Sequence, residues 1–244
     1  IQIKRYQLMH RLTKIVLKNW FRLPALTYKL YTYSRPGSRR TRLEQFKIVQ
    51  HIVERTKIDG NLEIKVFGRE NIPEQDGYIF YPNHQGIFDG FAMIDACQKP
   101  ISAVMKKELM SVPFVKQIFM CMNAIAIDRG NTRQSMRVMQ EVTRQVQSGV
   151  NFVIFPEGTR SRMKNQMIEF KSGSFKAATK ARCPIIPVAL IDSYKPFDNN
   201  ETGFVTVQIH ILKPFLYEDY KDLSTAEIAE KTKAMIAKTI AEFE

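Results

Sequence analysis

The sequence predicts an α/β domain, a mixed and largely parallel sheet flanked by helices, preceded by an N-terminal basic amphipathic helical segment. Two observations carry this expectation. From about residue 58 onward, strand-like and helix-like stretches alternate, the order that lays helices on the faces of a parallel sheet. The charge is also lopsided: residues 1–57 hold 14 Lys and Arg against Glu44 and Glu54, a net of +12 out of +13 for the whole chain. The sequence therefore divides into a surface-binding segment at 1–57 and an α/β domain at 58–244. A length of 244 residues with 44% hydrophobic content supports a full core.

In the basic segment, Leu8, Leu12, Ile15, Val16, Trp20 and Leu23 recur at three- and four-residue steps, with Arg11, Lys14, Lys18 and Arg22 as a second stripe. This is the pattern of an amphipathic helix with a cationic flank. Pro24 is expected to end or kink it. "ALTYKLYTY" then supplies tyrosines and "SRPGSRRTR" a basic turn. A second helix is expected from about Leu43 to Thr56, with Phe46, Val49, Ile52 and Val53 on one face. Aromatic rings beside Lys and Arg suit an anionic membrane surface. They could also stack bases of a nucleic acid, but single-strand binders carry such rings in a groove of the folded body, so no nucleic-acid partner is expected. The plain alternative is a helix packed on its own domain with a solvated basic side.

The body follows in order. "LEIKVFG" and "GYIFYPN" read as strands, "GFAMIDACQ" as a helix, "ISAVMKK" as a strand and "SVPFVKQIFMCM" as a helix. "AIAIDR" is a strand, Thr132 to Ser148 a long helix, and "VNFVIFPEG" a buried strand ending in a turn. "SFKAATKA" reads as a helix, "PIIPVAL" and "FVTVQIHIL" as strands, and the closing stretch as a helix capped by Ser224 or Thr225 with Glu227 in its first turn. No run approaches the length of apolar residues that spans a bilayer. Cys97, Cys121 and Cys183 form no CxxC pair, which argues for a reducing compartment and against a cysteine zinc site.

Open α/β sheets place their sites beyond the carboxyl ends of the strands. Three loops qualify: "PNHQGIFDG", "DRGN" with the nearby "MKKEL", and "FPEGTRSR". In the first, His84 in the turn and Asp89 in the first helical turn can meet, the carboxylate fixing the tautomer of the ring and leaving its other nitrogen to take a proton. The alternatives are that Asp89 serves the helix N-terminus while His84 satisfies the turn, that His84 is a metal ligand, although no second histidine lies within motif distance, or that it pairs with a cysteine nucleophile. In "FPEGTRSR", Arg160 can bind a phosphate bidentately, Thr159 can donate a hydroxyl bond, and Gly158 lets backbone approach an anion. A polar turn with Glu157 and Arg160 paired in solvent is the alternative. Lys106, Lys107 and Arg129 add positive charge to the same rim or serve solubility.

The segments, taken in order, resemble the glycerolipid acyltransferases, bacterial 1-acyl-sn-glycerol-3-phosphate acyltransferases above all. Asn83, His84 and Asp89 match the family's N-H-x4-D block, "MKKEL" its lysine segment, "AIAIDRGN" its second block, "FPEGTRSR" its third and "PIIPVAL" its fourth, from about Val66 to Leu190. The resemblance implies that His84 is the base and Asp89 its orienting partner. It further implies that Glu157, Gly158, Thr159 and Arg160 belong to the acceptor site and that Lys106 and Arg129 are phosphate-rim residues. The implied reaction moves an acyl group from acyl-CoA or acyl carrier protein to the sn-2 hydroxyl of a lysophosphatidic acid, without a metal or redox cofactor. A sibling acting on glycerol-3-phosphate or another lysophospholipid, or a non-enzymatic basic lipid- or nucleic-acid-binding protein on the same fold, are the competing readings. The implied location is the cytoplasmic face of the cell membrane, peripheral or monotopic. Gly86 departs from the pattern, since many relatives carry serine there, and is expected to remove a hydroxyl contact and loosen the turn.

Overall fold

The structure, a computed structural model, describes residues 9–199 and 203–244. Leu8, expected in the first helix, and the side chain of His10 lie outside the described residues. Helix α1 spans Met9–Asn19, α2 Leu23–Ser34 and α3 Arg42–Gly60. Pro24 therefore opens a helix rather than only ending one. In the first turn a proline gives up an N–H that has no intrahelical partner in any case, and its fixed φ suits the helix. Thr41 and Glu44 form a reciprocal cap at the start of α3, with Glu44 N donating to Thr41 Oγ1 at 3.2 Å and Thr41 N donating to Glu44 Oε2 at 2.8 Å.

Phe46, Val49, Ile52 and Val53 of α3 are buried in the core, and α3 runs through position 57 to Gly60. The basic segment is thus two things. Its last helix is core, and α1 is fastened to that helix by Arg11, whose guanidinium donates to Gly60 O at 2.7 Å and to Gly203 O at 2.9 Å. The corner where α1 meets α2 instead leaves Trp20 69% and Tyr28 71% exposed, beside exposed Leu17, Phe21 and Tyr31.

The sheet comprises β1 (Leu62–Phe67), β2 (Ile79–Pro82), β3 (Ile101–Lys106), β4 (Ile125–Ile127), β5 (Asn151–Val153), β6 (Ile185–Ile191) and β7 (Val205–Ile211). Its order is β1-β7-β6-β2-β5-β3-β4. Every pairing is parallel except β6 with β7, so β6, β2, β5, β3 and β4 all end at one edge. The helices between them are α4 (Asp89–Ala96), α5 (Pro113–Cys121), α6 (Thr132–Gln147), α7 (Lys176–Ala181), α8 (Lys195–Asp198), α9 (Tyr217–Tyr220) and α10 (Thr225–Phe243). Ser224 caps α10 with Glu227 as its partner.

Because successive strand residues point to opposite faces, the sheet has two cores. Phe80, Val153, Ile186 and Val188 face α3, α4 and α5. Ile79, Phe152, Ile185 and Ala189 face the side covered by α6, α7 and α10. Leu12, Ile15 and Leu26 pack α1 and α2 onto the first side. The three cysteines are buried and free. Burial pushes the thiols of Cys97 and Cys183 up to about 12 and that of Cys121 to about 11, far from the thiolate that a nucleophile requires.

Candidate active site

The residues singled out from the sequence gather at the shared carboxyl edge of the parallel strands. At the end of β2, Asn83 grips the neighbouring strand: Leu190 N donates to its Oδ1 at 2.7 Å and its Nδ2 donates to Leu190 O at 3.0 Å. The chain then turns through His84 to Phe88 and enters α4 at Asp89, which is fully buried. Asp89 Oδ2 accepts from Gln85 N at 2.6 Å and Gly86 N at 3.0 Å, and lies 2.6 Å from His84 Nδ1. Asp89 Oδ1 accepts from Ser193 Oγ at 2.5 Å.

An ionised carboxylate can only accept, so His84 carries its proton on Nδ1 and presents a lone pair on Nε2. No described residue hydrogen-bonds Nε2, and the side chain is 17% exposed, open enough to meet a ligand. The Phe155 ring lies tilted by 31° against that of His84, 4.2 Å between centroids. Histidine, orienting carboxylate and accessible second nitrogen together make a general-base arrangement.

"FPEGTRSR" is clamped to this turn. His84 N donates to Glu157 Oε1 at 2.7 Å, and Ser161 N donates to His84 O at 2.8 Å. Both peptide groups of His84 are thereby held by the third motif. Glu157, expected in the acceptor site, is 1% exposed. Its Oε2 accepts from Ile168 N at 3.1 Å, so both oxygens face backbone. Burial, aided by the nearby Asp89 carboxylate, pushes the Glu157 carboxyl up to about 7 against the two N–H bonds that hold it down.

Arg160 does not pair with Glu157 in solvent. Its Nη1 lies 2.9 Å from Asp198 Oδ1, and Asp198 Oδ2 accepts from Ile87 N at 2.7 Å, which ties the arginine to the histidine turn. Thr159 is exposed. Gly158 has φ +68°, and the Lys171 side chain crosses it where a Cβ would stand, with Nζ 3.0 Å from that point. Lys106 pairs loosely with Glu108 at 3.4 Å, and Lys107 lies 2.5 Å from Asp128. Arg129 is exposed and lines a cavity of about 360 Å³ that reaches Phe155 and Gly158.

Gly86 corrects an expectation. A Cβ there would lie 2.6 Å from Asp198 Oδ2 and 2.9 Å from Tyr194 Cα, so the turn is tight rather than loose. The segment after β6 occupies the space of a side chain, and from it Ser193 gives Asp89 a hydroxyl bond. Ser193, Asp198 and Gln85, whose amide bridges Leu190 O, Asn165 and Ser193, are site residues that sequence reasoning missed. The available signal was the polar run directly after the buried strand "PIIPVALI", at the same edge as the other loops. The remaining described histidines have other surroundings. His210 stacks on Phe67 and lies tilted against Phe243, and burial lowers its pKa.

A family model described as acyltransferase matches residues 63–191. The 1-acyl-sn-glycerol-3-phosphate acyltransferase of Salmonella typhimurium is 30% identical over 167 residues, 68% of this chain and 68% of that protein. The 1-acyl-sn-glycerol-3-phosphate acyltransferase alpha of Ovis aries is 27% identical over 195 residues, 78% of this chain and 67% of that one. Among solved structures, the 1-acyl-sn-glycerophosphate (LPA) acyltransferase of Thermotoga maritima matches with a TM-score of 0.75 at 19% identity, covering 99% of this chain and 97% of that chain, a likeness of fold. With the motifs assembled at one edge of the sheet, the family model spanning more than half of the sequence and a relative 30% identical over two thirds of it, the chain belongs to the acyltransferase family as an O-acyltransferase.

Proposed function

We propose that the chain transfers an acyl group from a thioester, acyl-CoA or acyl carrier protein, to the sn-2 hydroxyl of 1-acyl-sn-glycerol-3-phosphate, giving phosphatidic acid. The observation that carries this is the His84–Asp89 pair at 2.6 Å with Nε2 accessible; the names of the relatives support the acceptor. In the proposed step Nε2 takes the hydroxyl proton as the oxygen attacks the thioester carbonyl. The C–O bond forms, the C–S bond breaks, and the imidazolium returns the proton to the departing thiolate. The step balances with the two substrates alone, so no metal or redox cofactor is invoked. Asp89 orients the ring and stabilises the imidazolium.

Thr159, Arg160, Lys106 and Arg129 are assigned to the anionic headgroup of the acceptor, at the rim of the site. Gly158 admits backbone to the same anion. Glu157 contributes through the backbone of His84, which it holds. The acceptor resides in a bilayer, and the exposed aromatic corner of α1 and α2 with its Lys and Arg is suited to that interface. Among the described residues no helix is long and apolar enough to cross a membrane. Peripheral or monotopic attachment at the cytoplasmic face is the proposed location, with the aromatic corner as the point of contact. Purified protein assayed with one acyl-CoA and a panel of lysophosphatidic acid, glycerol-3-phosphate and other lysophospholipids tests both the chemistry and the acceptor. His84→Ala is expected to lower turnover about 10²- to 10⁴-fold, the usual contribution of a placed base. Undiminished transfer by this variant refutes the base assignment, and a preference for another acceptor refutes the substrate.

A further inference from the structure

The sheet separates two unlike surfaces. On the side of Phe80 and Val153, α1 and α2 carry the exposed aromatic corner. On the opposite side, α6 and the segment 171–181 leave the cavity of about 360 Å³. Its floor is apolar, formed by Val104, Ile127, Met139 and Ile154. Its lip is cationic. Lys171, Lys176 and Lys180 are exposed there, and the three lysines have no acidic partner among the described residues, whereas Lys106, Lys107 and Arg160 are each paired with a carboxylate. The cavity also reaches Phe155, whose ring lies tilted against that of His84, and Arg129 and Gly158, the residues assigned to the acceptor headgroup, so the two sites adjoin there.

We propose that this cavity is the donor site and takes the phosphopantetheine arm of the acyl thioester. The inference rests on the acyl-transfer reading and deepens it. An occupant must lay an uncharged body along the apolar lining and offer anionic charge to the lip, and a pantetheine arm with its 4′-phosphate does both. It must also come from water, because the cavity opens on the face opposite the aromatic corner through which a lipid acceptor would arrive. The two substrates then reach the edge of the sheet from opposite sides and meet at His84. Coenzyme A and acyl carrier protein present the same arm, so the shared phosphopantetheine is the ligand named.

The test uses the full chain with Lys176→Glu and Lys180→Glu combined, and separately Thr143→Trp, which fills the mouth from the half-exposed face of α6. Thermal melts establish that each variant is folded, and either variant suffices. The expected result is a donor KM raised about tenfold by reversing two rim charges, with kcat and the acceptor KM within about twofold. The effect appears with acyl-CoA, with acyl carrier protein or with both, and so identifies the carrier. Calorimetric binding of 4′-phosphopantetheine to wild type, weakened in both variants, reports on the cavity without turnover. Wild type that binds this probe but transfers no acyl group sinks the acyl-transfer reading while leaving the cavity assignment standing. A raised acceptor KM with an unchanged donor KM, or no change in either, overturns the proposal.

Discussion

Glu157→Gln isolates the energetic cost of the brace beneath His84. The wild-type carboxyl is 1% exposed and pushed from 4.5 up to about 7, chiefly by burial. The folded protein therefore binds this proton more tightly than the unfolded chain does. As pH rises from 4.5 to 7 the unfolded state ionises first, and the stability contributed by the group is lost across that window. A shift from 4.5 to about 7, at about 1.4 kcal/mol per unit, is worth roughly 3 kcal/mol. Glutamine does not titrate, but its amide nitrogen must face the N–H of either His84 or Ile168, a lost bond costing about 1–3 kcal/mol at every pH. The variant should thus be clearly less stable than wild type at pH 4.5 and come level with it, or exceed it, at pH 7.5. Urea unfolding of both proteins at several pH values across this range measures the difference. A difference that stays constant from pH 4.5 to 7.5 refutes the buried-carboxyl account.

Three further outcomes follow from the geometry. Ser193→Ala leaves the buried Asp89 Oδ1 without its hydroxyl donor and should cost about 1.5–3 kcal/mol in denaturant unfolding; a wild-type midpoint would show that water takes the place of the hydroxyl. Gly86→Ala drives a methyl against Asp198 Oδ2 and the backbone of Tyr194 and should destabilise by about 1–3 kcal/mol, visible as a lower melting temperature. Replacing Trp20 and Tyr28 together by serine removes exposed rings that pack on little else; sedimentation with anionic vesicles should fall while the melting temperature holds, and unchanged vesicle binding argues against the interfacial role.

The parts of the fold that are local were readable in the sequence. The strands from Leu62 to Ile211 announce themselves by alternation or by unbroken apolar runs, and the Ser224–Glu227 cap by its spacing. His84 and Asp89 were readable because five residues within one turn suffice to bring them together. What could not be read depends on strand register. Ser193 reaches Asp89 only because β6 lies beside β2 with Pro82 opposite Val188, a pairing of segments more than 100 residues apart. The same adjacency presses Tyr194 and Asp198 on Gly86 and turns Arg160 toward Asp198. The first helix ends before Pro24, as expected, and the same proline also suits the first turn of α2, where its missing N–H costs nothing. The division at 57 rested on charge, yet charge describes only the outer face of α3, whose inner face is core.

The clamp on His84 also bears on how the chain becomes active during synthesis. "NHQGIFD" contains the whole histidine–aspartate pair, yet both peptide groups of His84 are held by residues 157 and 161, which emerge from the ribosome more than 70 residues later. The hydroxyl on Asp89 arrives later still, with β6. A nascent chain carrying the first motif therefore has the residues of the pair without its rigid frame. The frame around the base is complete only with β5 and β6 on either side of β2, so it draws on residues spread across the central sheet.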